Sequence, residues 1–184
     1  MSIVVQDLGA QSAAVLEAAA VLLVDHFDEP GGWREMTSAR EEVGRVLKEG
    51  FGLAAMENGF LQGWIGGLPE YNGRVWELHP IVVHRACRLR GVGRALVAAF
   101  EEEVNRRGAH TITLGTDDHW GMTSLSGVDL YDDLPGKLTA LWDLGRKHPF
   151  LFYKKLGYVV TGVLPDANGP GRPDIYMSKR VRKH

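Results

Sequence analysis

The run His79-Pro80-Ile81-Val82-Val83-His84-Arg85-Ala86-Cys87-Arg88-Leu89-Arg90-Gly91-Val92-Gly93-Arg94-Ala95-Leu96 changes character twice. Ile81, Val82 and Val83 are β-branched and read as a buried strand. Arg85 to Arg90 form a basic loop that runs into Gly91-Val92-Gly93. An amphipathic helix follows, with Val92, Leu96, Ala99, Phe100 and Val104 on its apolar side. A strand, a basic glycine loop and a helix N-terminus in this order make an anion site. Glycines let the backbone approach a ligand, first-turn N–H groups point outward, and the helix dipole favours negative charge. The loop is not a Walker A motif, because no Lys-Ser/Thr follows its last glycine. Nor is it a dinucleotide fingerprint, because Leu96 stands where the third glycine belongs.

The flanking sequence carries a second signal. Val75 to Val83 read as a strand that contains Pro80, and proline cannot donate to a ladder. A bulge or a parting of neighbouring strands is therefore expected there. Glu77 and His79 lie two residues apart on this strand and so share a face. A carboxylate or an imidazole can take a proton from an ammonium, directly or through water. Glu77 reads as such a base or as an anchor for a cation. His79 reads as a participant, as a positioner of Glu77 or as a hydrogen-bonded core residue.

Upstream, Ile3 to Val5 are a strand candidate and residues 11 to 26 have helical periodicity through Val15, Leu16, Ala19, Leu22 and Leu23. Phe27 to Trp33 read as a loop broken by proline and two glycines. Trp33 is either a stacking platform for a ligand or a lid over the core edge. A helix is expected from Met36 to Lys48, with Ser38 and Glu41 as a capping box and Gly50 as its end. Phe51 to Glu57 and Phe60 to Gly66 form a hairpin around Asn58-Gly59, with Gly66-Gly67-Leu68-Pro69 ending the second strand. Tyr71 to Arg74 are a further turn.

Downstream, His110 to Leu114 are a strand. Between Ala109 and Gly136 there are five acids (Asp117, Asp118, Asp129, Asp132, Asp133) and no Lys or Arg. Such a segment is a solvated loop or the lining of a site for a polycation. A short helix is expected over Lys137 to Leu144. Another opens at His148-Pro149, carries Phe152-Tyr153 and ends at Gly157. Tyr158 to Val163 and Ile175 to Lys179 are the last strands.

The chain of 184 residues is long enough for a substantial core, and a single domain over 1–184 is expected. A net charge of −2 gives no reason to expect a nucleic-acid partner. Cys87 is the only cysteine, which rules out an intrachain disulfide and fits a reducing compartment. Ala13 to Val24 are too short to span a bilayer and contain Glu17, so no membrane partner is expected and the cytoplasm is the expected location.

The strand and Arg88-x-x-Gly91-x-Gly93 loop resemble the acetyl-CoA pyrophosphate loop of the GNAT acetyltransferase superfamily, and Phe152 to Tyr158 resemble its late helix and strand. More narrowly, the chain resembles the aminoglycoside 6'-N-acetyltransferases. The resembling stretches are Trp76 to Val83, Leu114 to Asp118, Thr123 to Ser126 with Asp129-Leu130-Tyr131, His148-Pro149 with Phe152-Tyr153 and Lys155 to Tyr158, and Gly162 to Gly169 with Pro173-Asp174-Ile175. Residues 1 to 60 carry little of it, and Gly169-Pro170-Gly171-Arg172 departs from the pattern.

The resemblance implies an α/β (α+β) GNAT fold: one mixed, mostly antiparallel sheet flanked by helices and splayed at the acetyl-CoA strand. It implies acetyl-CoA as cosubstrate, no metal, and an aminoglycoside acceptor acetylated at its 6'-amine, with antibiotic resistance as the result. Ile81 and Val83 would offer backbone groups to the pantetheine arm, and a backbone N–H near Val82 would stabilise the oxyanion. Arg88, Arg90, Gly91, Val92, Gly93 and Arg94 would surround the pyrophosphate. Glu77 would be base or water positioner, with His79 beside it. Tyr153 would be the acid toward the leaving thiolate; otherwise it is a packed aromatic. Trp33, Tyr71, Glu77, Asp117, Asp118, Asp132 and Asp133 are acceptor-site candidates, and a homodimer is expected. The competing readings are a GNAT enzyme for another amine, such as a polyamine, a small metabolite or a protein N-terminus, and a non-catalytic CoA binder.

Overall fold

The computed structural model describes residues 3–27 and 32–182. Residues 28–31 of the expected Phe27–Trp33 loop lie outside them. One seven-stranded sheet has the order β1 (Val4–Asp7), β2 (Phe51–Glu57), β3 (Phe60–Glu70), β4 (Val75–Val83), β5 (Thr111–Asp117), β7 (Asp174–Arg180), β6 (Val159–Leu164), with helices in the connections. This is the mixed α/β sheet that the resemblance implies. The chain divides into two compact units, Met1–Ile112 with Val181–His184, and Thr113–Arg180.

The first unit holds β1 (Val4–Asp7), α1 (Ala13–His26), α2 (Met36–Glu49), β2 (Phe51–Glu57), β3 (Phe60–Glu70), β4 (Val75–Val83) and α3 (Val92–Arg106). β1 to β4 pair antiparallel in chain order. Asn58 and Gly59 both have positive φ (54° and 81°), the backbone that a tight hairpin turn needs. β3 does not stop at Gly66-Gly67 but runs on to Glu70. The two glycines serve close approach rather than strand termination. A Cβ on Gly66 would meet Val46 of α2, and one on Gly67 would stand 2.6 Å from Phe100 of α3. Successive residues of one strand thus admit a helix to each face of the meander.

On one face, α1 and α2 bury Ala19, Leu22, Leu23, Ala39, Val43 and Val46 against Trp64, Leu68 and Val82. The indole N–H of Trp64 donates to the Ala19 carbonyl at 3.0 Å, which satisfies its one polar atom inside the core. On the other face, Phe51 stacks on Phe100 at 5.2 Å and tilts against Trp76 at 5.1 Å, with the Arg107 guanidinium over both Phe51 and Trp76. Ser38 and Glu41 do not form a capping box. The helix begins at Met36, so Ser38 lies within its first turn and its hydroxyl donates back to the Glu35 carbonyl at 2.9 Å.

Pro80 sits at the expected irregularity. Ile65 pairs with Ile81 and Gly67 with Leu78, so Gly66 alone opposes His79 and Pro80. One extra residue shifts the side-chain phase of the strand. Before the bulge, Trp76 packs with the aromatic cluster and His79 reaches α2. After it, Val82 joins the α1–α2 core.

The second unit holds most of β5 (Thr111–Asp117), α4 (Leu134–Thr139), α5 (Phe150–Lys155), β6 (Val159–Leu164) and β7 (Asp174–Arg180). β6 and β7 pair antiparallel. Leu125, Leu130 and Ile175 form the buried centre of a small core that includes Leu134, Leu138, Val160 and Val163. The helix expected over Lys137 to Leu144 lies earlier, because Asp133 caps it through Gly136 N–H and Pro135 occupies its first turn. Gly157 has φ 87° just past α5, as expected of a helix-terminating glycine.

Candidate active site

Beyond β4, His84 accepts the Ala86 N–H through Nδ1 at 3.2 Å and starts a single 3-10 turn, Arg85–Cys87. Gly91 has φ 89° and is the N-cap of α3. A Cβ there would touch nothing within 4 Å, so the glycine serves backbone conformation and leaves the space above it open. The first-turn N–H groups of Val92, Gly93 and Arg94 have no acceptor four residues back within the helix. Arg88, Arg90 and Arg94 are exposed around this end. Arg90 is paired with Glu57 at 3.2 Å, whereas Arg94 has no ion-pair partner among the described residues. Arg88 approaches the Val83 carbonyl through Nε at 3.5 Å. Loop, glycine and basic side chains form a surface suited to a diphosphate.

The strand before it is paired with β3 along one edge. His84 N–H donates to the Gln62 carbonyl at 2.8 Å, and Val83, Val82 and Ile81 pair with Gly63, Trp64 and Ile65. In an antiparallel ladder, hydrogen-bonded and non-hydrogen-bonded pairs alternate. Val82 therefore spends its N–H and C=O on β3, while Ile81 and Val83 turn theirs away from it. A backbone donor near Val82 is therefore to be sought at Ile81 or Val83.

On the α2 side of β4, Glu77 is half-buried and has no hydrogen-bond or ion-pair partner among the described residues. Its charge is felt by Glu70, whose carboxyl is raised first by burial and then by Glu77. His79 does have a partner. Its Nε2 lies 3.2 Å from Oε1 of Glu42, and its ring tilts against Trp33 with centroids 5.6 Å apart. Glu42 also accepts Arg45 Nη2 at 2.7 Å and Nε at 3.0 Å. Burial pulls the Glu42 carboxyl up, but hydrogen bonds from His79 and Arg45 outweigh it and hold the group at about 2. Trp33 packs edge-on to Phe27 at 5.1 Å and against the α1–α2 core while also meeting His79. It is a core lid with one edge on this face. Tyr71 is 76% exposed in the 3-10 turn Tyr71–Gly73 that joins β3 to β4. Glu42 and Glu70 escaped the sequence reading, because neither belongs to a motif and only strand register and helix packing bring them near β4.

In the second unit Tyr153 is buried in α5, packed edge-on to Phe152 at 5.1 Å and Tyr158 at 5.6 Å. Burial raises its phenol above the ordinary range, so it stays protonated. His148 fixes the start of this helix. Its Nδ1 accepts the Phe150 N–H at 3.2 Å, so Nε2 carries the proton and donates to the Asp117 carbonyl at 3.2 Å.

The acidic residues of this unit divide. Asp118 is fully buried and accepts the N–H groups of Met122 and Thr123 and the hydroxyls of Thr123 and Ser126. This corrects its assignment to the acceptor site, since both oxygens are consumed in shaping the 118–126 loop. Asp117 is exposed and accepts Asn168 Nδ2 at 2.6 Å. Asp132 is exposed, with Lys137 donating to its carbonyl oxygen. Asp133 is the N-cap of α4. Among the described residues no three His, Cys, Asp or Glu side chains gather to hold a metal ion, and no helix is long and apolar enough to cross a membrane.

The chain belongs to the acetyltransferase (GNAT) family, whose model matches residues 19–126 and so includes the whole of β4, the basic loop and α3. Over nearly its full length it is similar to a solved aminoglycoside 6'-N-acetyltransferase in complex with coenzyme A, at 37% identity over 98% of both chains with a TM-score of 0.92. It is also similar to the aminoglycoside 6'-N-acetyltransferase from Enterococcus faecium, at 37% identity over 98% of both chains with a TM-score of 0.90. The aminoglycoside 6'-acetyltransferase type Ii follows at 33% identity over 98% of this chain and 99% of the other, with a TM-score of 0.76. No curated protein sequence matches the chain.

Proposed function

We propose that this chain transfers the acetyl group of acetyl-CoA to the 6'-amine of aminoglycosides. The observation that carries the reading is the likeness, over 98% of both chains, to two aminoglycoside 6'-N-acetyltransferases at 37% identity. Family membership alone supports acetyl transfer, and the open anion loop at Gly91 supports acetyl-CoA as the donor.

In this reading the pyrophosphate takes the first-turn N–H groups of Val92, Gly93 and Arg94, with Arg88, Arg90 and Arg94 around it. The backbone groups of Ile81 and Val83 that turn away from β3 hold the pantetheine arm and face the oxyanion, where fixed donors are worth most. Glu77, which has no ion-pair partner among the described residues, anchors the acceptor's ammonium as base or water positioner. Trp33 and Tyr71 offer aromatic faces, and Asp117, Asp132 and Asp133 offer charge to a polycation. The amine attacks the thioester carbonyl and the thiolate leaves. A thiol has a pKa of about 8.5, so a neutral phenol held above its own usual range stabilises the thiolate as a hydrogen-bond donor and need not surrender its proton. We assign that part to Tyr153.

Acetylation removes a cation and adds bulk, so the product binds ribosomal RNA poorly and resistance follows. That target and the donor support the cytoplasm as its location, and we infer a homodimer as its working form, which sedimentation equilibrium would check. The deciding experiment measures thiol release from acetyl-CoA with two matched aminoglycosides, one bearing a 6'-amine and one a 6'-hydroxyl. Release with the amine alone is expected. Release with neither, although acetyl-CoA binds, sinks the aminoglycoside reading and points to another amine.

A further inference from the structure

The Glu42–His79 contact has a chemical consequence. Glu42 is fixed before His79 reaches it, because Arg45 grips both of its oxygens from one turn further along α2. Its side chain is 12% exposed. A neutral imidazole with Nε2 on this carboxylate must carry its proton there, which makes Nδ1 the lone-pair nitrogen. Nδ1 has no hydrogen-bond partner among the described residues, and the side chain is 33% exposed. Trp33 packs against the ring and limits its rotation. The charged groups about the imidazole are Glu42 and Arg45 from α2 and Glu77 from the same face of β4. A base with one nitrogen open and the other oriented by a buried carboxylate is the arrangement that activates a proton acceptor.

We propose that His79 takes up the proton shed by the acceptor's ammonium and that Glu42 is the positioning residue that sets its tautomer. The N–H bond of the ammonium breaks, its electron pair stays on the nitrogen that then attacks the thioester, and the proton passes to Nδ1, directly or through a water. The imidazolium so formed keeps its Nε2–H on the Glu42 carboxylate and returns the Nδ1 proton to solvent; the nitrogen, positively charged again after attack, gives its second proton to water as the C–S bond breaks and CoA leaves as the thiolate. Glu77 then acts as the anchor for the ammonium. The proposal rests on the reading that the chain acetylates an amine.

The test combines two readouts. In the first, kcat and the acetyl-CoA dissociation constant are measured for Glu42→Gln, His79→Gln and the double variant with the 6'-amine substrate at saturation. Glu42→Gln keeps a partner for Arg45 but loses the charge. Each single variant is expected to lower kcat by about 10- to 100-fold with acetyl-CoA binding unchanged, and the double variant to fall no further than His79→Gln. Additive losses, or a wild-type kcat in Glu42→Gln, overturn the proposal. The second readout is the imidazole 15N spectrum of the wild-type chain. His79 protonated on Nε2 supports the assignment, and protonation on Nδ1 overturns it. This spectrum decides alone if Glu42→Gln does not fold. It also stands if the wild type turns over no aminoglycoside, an outcome that defeats the acceptor reading rather than the tautomer.

Discussion

Gly50 lies so close to Gly67 that a Cβ built on it would overlap the Gly67 carbonyl oxygen. The conflict is between backbone atoms, so no rotamer change relieves it. Gly50 has a negative φ of −143°, so the overlap and not a left-handed backbone is the reason argued for glycine there. Gly50→Ala is expected to cost about 3 kcal/mol or more in urea unfolding. Gly44, in α2 with nothing within 4 Å of its added Cβ, is the matched control. Gly44→Ala should raise stability by about 0.5–1 kcal/mol. Equal effects at the two positions would show that the close approach of α2 to β3 does not govern Gly50.

Glu42 predicts an acid-sensitive share of stability. Its carboxyl is held at about 2 against an ordinary 4.5: burial pulls it up, and the His79 and Arg45 hydrogen bonds outweigh that pull. A depressed carboxylate binds its proton more readily unfolded than folded, so its stabilisation is complete above 4.5 and is lost as pH falls through about 2. The amount is on the order of 3 kcal/mol at most. Unfolding free energies across that interval should decline in the wild type and decline less in Glu42→Gln. Parallel curves would mean that the pair contributes nothing in solution.

Gly91→Ala separates conformation from space. At φ 89° an alanine pays for a left-handed backbone, about 1–2 kcal/mol, while meeting no atom within 4 Å. The loop should relax away from this geometry and carry the first-turn N–H groups with it. A rise in the acetyl-CoA dissociation constant of about tenfold is expected by calorimetry, with a small loss of thermal stability. An unchanged constant removes the pyrophosphate from this helix end.

The strand, loop and helix that carry the candidate donor site are legible in the sequence because their signals are local. Three β-branched residues, a basic loop and two glycines each state a backbone requirement in consecutive positions, and Pro80 declares its own bulge. β3 was misread at Gly66-Gly67 because glycine signals both a strand end and a close approach, and only the helices on either face distinguish the two. α4 was displaced because its cap, Asp133, adopts φ 46°, a backbone that its sequence neighbours do not announce. Asp118 looked like one acid among five until its hydrogen bonds showed it turned inward. The Glu42–His79 contact joins a helix to a strand distant in sequence, and no periodicity within either element encodes it.

Tyr153 gives the last prediction. Two roles fit its place beside Phe152 and Tyr158: packing, or donation to a departing sulfur. Tyr153→Phe keeps the ring and its edge-on contacts and removes only the hydroxyl, so packing is nearly preserved. A hydrogen bond to an anionic acceptor is worth about 1.5–3 kcal/mol, which amounts to ~10- to 100-fold in rate if it forms only as charge develops on sulfur. The variant should therefore lose that factor in kcat while its acetyl-CoA dissociation constant stays within about twofold of wild type. Burial raises the phenol above its ordinary range, so it remains a donor through the alkaline arm of the profile, and wild-type kcat should show no fall attributable to Tyr153 up to about pH 10. A variant with wild-type kcat and lowered stability would return Tyr153 to the core of its unit and leave the thiolate to depart without help from it.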